Sequence, residues 1–129
     1  MSVLLLLVLL VSCKSPKVND DPLSSQTFRI TNAAQPIPIK LRSSFVFELE
    51  SNPTTGYTWA MEIEPEGSIT KKLREYTAGS GDQVGIGGTT SWTLTASKVG
   101  TTTVTFRYER PWEKGVKPAR EVAFTINVR

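Results

Sequence analysis

From Val122 onward every second residue is a large apolar one, Val122, Phe124, Ile126 and Val128, and the same two-residue spacing recurs along the chain. Phe45, Phe47 and Leu49 alternate with Val46, Glu48 and Glu50. Trp59, Met61 and Ile63 alternate with Ala60, Glu62 and Glu64. Trp92, Leu94 and Ala96 alternate with threonines, and Val104, Phe106 and Tyr108 alternate with Thr105 and Arg107. Side chains of an extended strand point alternately to opposite faces, so this period describes half-buried strands and is incompatible with a helical stripe. Only Ser68 to Tyr76 could hold a helical turn, through Ile69, Leu73 and Tyr76; strand is favoured there too.

Glycines, prolines and Ser-Thr clusters punctuate these runs at intervals typical of a two-sheet fold. The fold class expected is all-β, an immunoglobulin-like antiparallel β-sandwich of about seven strands over residues 26–129, with loops gathered at its two ends. At 129 residues the chain can bury one such core and no second.

Absences narrow the chemistry. The sequence has no histidine, which removes the usual proton shuttle, the His-based triads and the commonest metal ligand. Its single cysteine, Cys13, excludes an internal disulfide or a cysteine-rich metal cluster. No metal or other cofactor is expected. The net charge of +3 comes from basic residues interleaved with acidic ones, which does not make the clustered positive face that nucleic acid requires. Hydrolysis by Glu48, Glu50, Glu62 or Glu64 is conceivable, but these alternate on strand faces away from the core, so solvated sheet surface accounts for them better.

The N-terminus reads as export. Val3 to Val11 is an unbroken apolar run, about half the 20 residues needed to cross a bilayer. The ending Leu10-Val11-Ser12-Cys13 resembles a bacterial lipobox, which implies lipidation of Cys13, a signal over 1–13, and a membrane-anchored lipoprotein at the cell envelope. Polar, proline-bearing residues 14–25 read as a flexible tether to the domain.

Three connections are long and unusual in content. Asn52 to Tyr57 carries Pro53, which fixes φ, and Gly56, which can close a turn at positive φ. Between them Thr54 and Thr55 form a stiff tip. Ala78 to Thr89 contains five glycines, and within it Gly85-Ile86-Gly87-Gly88 offers bare backbone amides and carbonyls flanking one apolar side chain. That loop lacks the Lys-Ser/Thr and the following helix of a phosphate cradle and better suits close backbone approach to a partner. Glu109 to Arg120 carries Arg110, Pro111 and Trp112; tryptophan and arginine are enriched at interface hot spots. Lys114, Lys117 and Arg120 read as a solvated rim. Taken singly, the first loop is as well explained by a stiffened turn as by binding, and the third by a tryptophan folded back to cap the core.

Taken together, N-P-T-T-G-Y at 52–57, G-I-G-G at 85–88 and R-P-W at 110–112, in that order and with Trp59 following the first, resemble the loop motifs of the chagasin family of cysteine-protease inhibitors. The resemblance implies an immunoglobulin-like sandwich and no enzymatic activity. It implies reversible, tight binding to papain-like cysteine proteases, with Asn52, Pro53, Thr54, Thr55, Gly56 and Tyr57 in the cleft. Gly85, Ile86, Gly87 and Gly88 would lie along one wall and Arg110, Pro111 and Trp112 against the other, in a complex formed by a monomer. The competing expectation is an adhesion or carbohydrate-binding module that uses Tyr57 and Trp112 as stacking platforms.

Overall fold

The computed structural model describes residues 25–81 and 85–129. The expected signal, the expected lipidation site Cys13 and the expected tether up to residue 24 lie outside the described residues, as do residues 82–84 of the second loop.

Among the described residues, eight strands form two four-stranded sheets. They are β1 (Gln26–Phe28), β2 (Ile37–Ile39), β3 (Ser44–Ser51), β4 (Thr58–Glu64), β5 (Ile69–Ala78), β6 (Gly88–Ala96), β7 (Gly100–Glu109) and β8 (Arg120–Val128). One sheet runs β1-β3-β6-β5 and the other β2-β8-β7-β4. The six long strands pair antiparallel, as the alternation implies. The two short ones are parallel additions, β1 on β3 and β2 on β8, which makes both sheets mixed. The physical reason is connectivity: Ile30–Ala34 forms a 3-10 turn that carries the chain from the first sheet to the second without a hairpin reversal.

The alternating residues meet between the sheets. Phe45, Phe47, Leu94, Val104, Phe106, Phe124 and Ile126 are fully buried. Phe47 sits at the centre, its ring 4.4 Å from that of Phe124, 5.3 Å from Phe106 and 5.7 Å from Phe45. Burying each such side chain contributes about 1.5–3 kcal/mol, and edge-to-face contacts between the rings add to it. Trp59 is buried at the end of this core, and its indole N–H donates to the Glu50 carbonyl at 2.9 Å.

Residues 69–78 are strand, not helix, and their irregular apolar spacing has a structural cause. Between Lys71 and Leu73 the register with β6 slips by one residue, a β-bulge at Lys72. Ile69 and Lys71 oppose the inward Ala96 and Leu94; beyond the bulge Arg74 and Tyr76 oppose the inward Trp92 and Thr90. The bulge and the lysines lie on the last strand of the sheet, where such features discourage pairing with another chain.

Candidate functional site

The strand order accounts for the loop cluster. β3 belongs to one sheet and β4 to the far edge of the other, so Asn52–Tyr57 must cross the roughly 10 Å between sheets over the end of the core. A hairpin turn could not make that crossing. The other two loops are hairpins, β5 to β6 in the first sheet and β7 to β8 in the second, and they open at the same end: Ser51 pairs with Gly88, Thr58 with Glu109, and Tyr108 with Arg120. All three motif loops therefore converge, with the first lying between the other two.

The crossing loop is organised by its own side chains. Pro53–Thr55 makes a single 3-10 turn with proline at its start, where no donor is lost. The Asn52 side-chain oxygen caps it, accepting from the Thr54 amide at 3.3 Å and from the Thr54 hydroxyl at 2.6 Å. The Thr55 hydroxyl donates to the Asn52 carbonyl at 2.7 Å. Gly56 ends the turn at φ 80°, a left-handed conformation that glycine takes without strain. Both threonines are thus held from inside the loop while remaining exposed.

Neighbouring elements then fasten the loop in place. Beneath it, the buried Ser51 and Thr90 hydroxyls hydrogen-bond at 2.7 Å. On one side the Asn52 side-chain amide donates to the Gly85 carbonyl at 3.1 Å, joining the first loop to the second. On the other side Arg110 Nε donates to the Thr55 carbonyl at 3.2 Å, and its guanidinium lies 4.5 Å over the Tyr57 ring. Glu113 orients that guanidinium through Nη1 at 3.2 Å. Tyr57 stacks on Tyr108 at 5.2 Å, and Tyr108 in turn lies 4.8 Å from Trp59, so a ladder of rings connects the loop to the core.

Trp112 is 64% exposed, yet the edge of its indole covers Gly56 so closely that a Cβ on that glycine would overlap the ring. Ile86, 38% exposed, rests on Gly79 and Gly81; a Cβ on Gly81 would stand only 2.7 Å from Ile86 Cδ1. Pro111 is exposed beside Trp112. Gly87 backs onto Ser51: a Cβ there would stand 3.1 Å from the Ser51 carbonyl oxygen. Gly88 lies not in the loop but at the start of β6, paired to both Ser51 and Ala78, where the neighbouring Thr77 backbone and Tyr76 hydroxyl leave no room for a side chain. Ala78 and Thr89 likewise belong to strands rather than to the loop.

The sequence pattern did not single out Tyr108, Glu113 or Ser51 with Thr90, although all four shape this surface. Their partners lie too far along the chain for a local motif to reveal them, except for the Arg110-x-x-Glu113 spacing.

Two of the four candidate carboxylates, Glu48 and Glu62, are engaged in ion pairs. Glu48 pairs with Arg29 at 2.7 Å. Glu62 pairs with Arg107 at 2.7 Å, and Arg107 also meets Glu121 at 3.0 Å. The hydrogen bond from Arg107, and then its charge, hold the Glu62 carboxyl below the usual range. A general acid would need the opposite shift. The stacking-platform reading fares no better for Tyr57, whose ring is already engaged by Tyr108 and Arg110.

A β-sandwich that presents three cross-braced loops at one end defines a binding protein that acts through a preformed surface. Comparison with known proteins identifies which kind. The model of the chagasin family peptidase inhibitor I42 matches residues 39–128, and the chain belongs to that family. Amoebiasin-2 of Entamoeba histolytica is 35% identical over 86 residues, which are 64% of this chain and 68% of that protein. Chagasin of Trypanosoma cruzi is 35% identical over 69 residues, 50% of this chain and 63% of its own length. Among solved structures, the cysteine protease inhibitor EhICP2 from Entamoeba histolytica superposes with a TM-score of 0.74 at 28% identity, covering 81% of this chain and 95% of that one. PbICP-C, solved in complex with falcipain-2, shares the fold at a TM-score of 0.54 and 18% identity, over 81% of this chain and 100% of its own. The protein is a peptidase inhibitor and not an enzyme.

Proposed function

We propose that the protein inhibits papain-like cysteine proteases reversibly, by seating its three-loop end in the active-site cleft with Thr54 and Thr55 foremost. The observation that carries this reading is the bracing of the first loop by both others, through Asn52 to Gly85 and through Arg110 to Thr55. A papain-like site is a thiolate beside an imidazolium in an open groove built for an extended peptide. A prefixed tip can fill such a groove at little cost in ordering entropy, and it asks no chemistry of the inhibitor. The 3-10 turn at Pro53–Thr55 also withholds the extended carbonyl geometry that nucleophilic attack requires. Gly85, Ile86 and Gly87 flank the tip on one side and Arg110, Pro111 and Trp112 on the other, which gives a contact of roughly 800 Å² per partner. Relatives named as cysteine protease inhibitors, and the complex of PbICP-C with falcipain-2, support the choice of partner.

The inhibitor acts as a monomer from the cell envelope, anchored by lipid on Cys13. The apolar run and the Leu10-Val11-Ser12-Cys13 ending support that location. The site assignment is tested by asking whether papain binds this protein only while its cleft is open.

A further inference from the structure

Tyr108 belongs to β7, and its position there marks it as one more alternating strand residue. Its hydroxyl does something that packing does not require. It accepts a hydrogen bond at 2.9 Å from the backbone amide of Asn52, the residue at which the first loop leaves β3. Asn52 is also the residue whose side-chain oxygen caps the turn and whose side-chain amide grips Gly85. One hydroxyl therefore sets the position of the residue on which the tip's internal bonds and its tie to the second loop both depend. The Tyr108 ring is separately secured by stacking between Tyr57 and Trp59, so the hydroxyl is carried on a fixed arm.

Resting on the inhibitory reading above, we propose that Tyr108 is a positioning residue for inhibition: its hydroxyl latches the first loop at Asn52 and so sets the lifetime of the protease complex and the loop's resistance to cleavage. Without the latch the Asn52 amide loses its partner, and the turn at Pro53–Thr55 can open toward the extended form that a protease cuts. Encounter with the enzyme depends on the overall shape and charge of the loop end and is unaffected, whereas the bound state is weakened.

Tyr108→Phe keeps both ring contacts and removes the hydroxyl alone. With papain, association should be unchanged and dissociation faster by about fivefold, the weight of one neutral hydrogen bond. On long incubation the variant should be nicked between Thr54 and Thr55 while the parent protein stays intact. A residue that merely supported the fold would lower the melting temperature without moving dissociation or cleavage far below it. Unchanged dissociation and an intact loop in the variant, with the parent inhibiting, would overturn the latch and leave the inhibitory reading standing. A parent that does not inhibit would overturn both. Amide hydrogen exchange gives a second reading free of the protease: the Asn52 amide should be protected in the parent and exposed in Tyr108→Phe, and fast exchange in the parent would overturn the proposal.

Discussion

Replacing Gly56 by alanine should damage the inhibitor in two separable ways. Gly56 has φ 80°, and placing an L-residue in that region costs about 1–2 kcal/mol. For a domain of this size that loss lowers the melting temperature by about 5–10 °C. The second effect is steric. The new methyl would overlap the indole edge of Trp112 and stand 3.1 Å from its Cζ2, so the ring, 64% exposed, must swing away. If Trp112 makes hot-spot contact with the protease, displacing it should weaken papain binding by about tenfold, equivalent to about 1.4 kcal/mol. The two effects part company in a Trp112→Ala background. There the backbone strain persists, and Gly56→Ala should still lower the melting temperature by a similar amount. The steric effect has gone, so Gly56→Ala should weaken binding by no more than about twofold further, a strongly non-additive cycle. Thermal melts and surface plasmon resonance on the four proteins measure both quantities. An equal affinity loss with and without the indole would refute the claim that Gly56 acts by seating Trp112.

The ion pairs on the outer face of the second sheet should govern an acid-range response. Arg107 holds the Glu62 carboxyl low, so this pair stabilises the fold above the ordinary Glu pKa, and the contribution is lost as pH falls through the depressed folded value. Arg107→Gln should move the Glu62 titration, followed by NMR, back up to the ordinary carboxylate range, with little change in stability at neutral pH because the pair is exposed; an unmoved titration would contradict this. If Cys13 carries the proposed lipid anchor, Cys13→Ser should shift the protein from the membrane to the soluble fraction in a bacterial host, and an unchanged membrane fraction would count against lipidation.

Much of the fold was legible because burial between two sheets imposes period two on any strand long enough to show it. Phe45-Phe47-Leu49 and Phe124-Ile126-Val128 announce their buried faces directly. β1 and β2 escaped notice because three residues cannot display a period and because their parallel pairing depends on partners far along the chain. The strand at 69–78 was blurred for a different reason: the bulge at Lys72 advances the phase by one, so Ile69 and Tyr76 look out of step although both oppose inward residues of β6. At the candidate site, the contents of the loops were visible as motifs, and the turn chemistry of Pro53 and Gly56 followed from their backbone preferences. The length of the first loop was understandable only once it proved to cross from sheet to sheet. The bonds that fasten it, Tyr108 to Asn52 and Asn52 to Gly85, span 56 and 33 residues and leave no local signature.

The central claim is that the braced loop end occupies the protease cleft, and calorimetric titration of the protein into two forms of papain tests it most directly. One form is active; the other carries a peptidyl group covalently filling the groove at its catalytic thiol. The account predicts stoichiometric one-to-one binding with loss of activity for the open enzyme, and no binding for the filled one. Equal binding to both forms would contradict it, because the protein would then be grasping papain somewhere other than its active site.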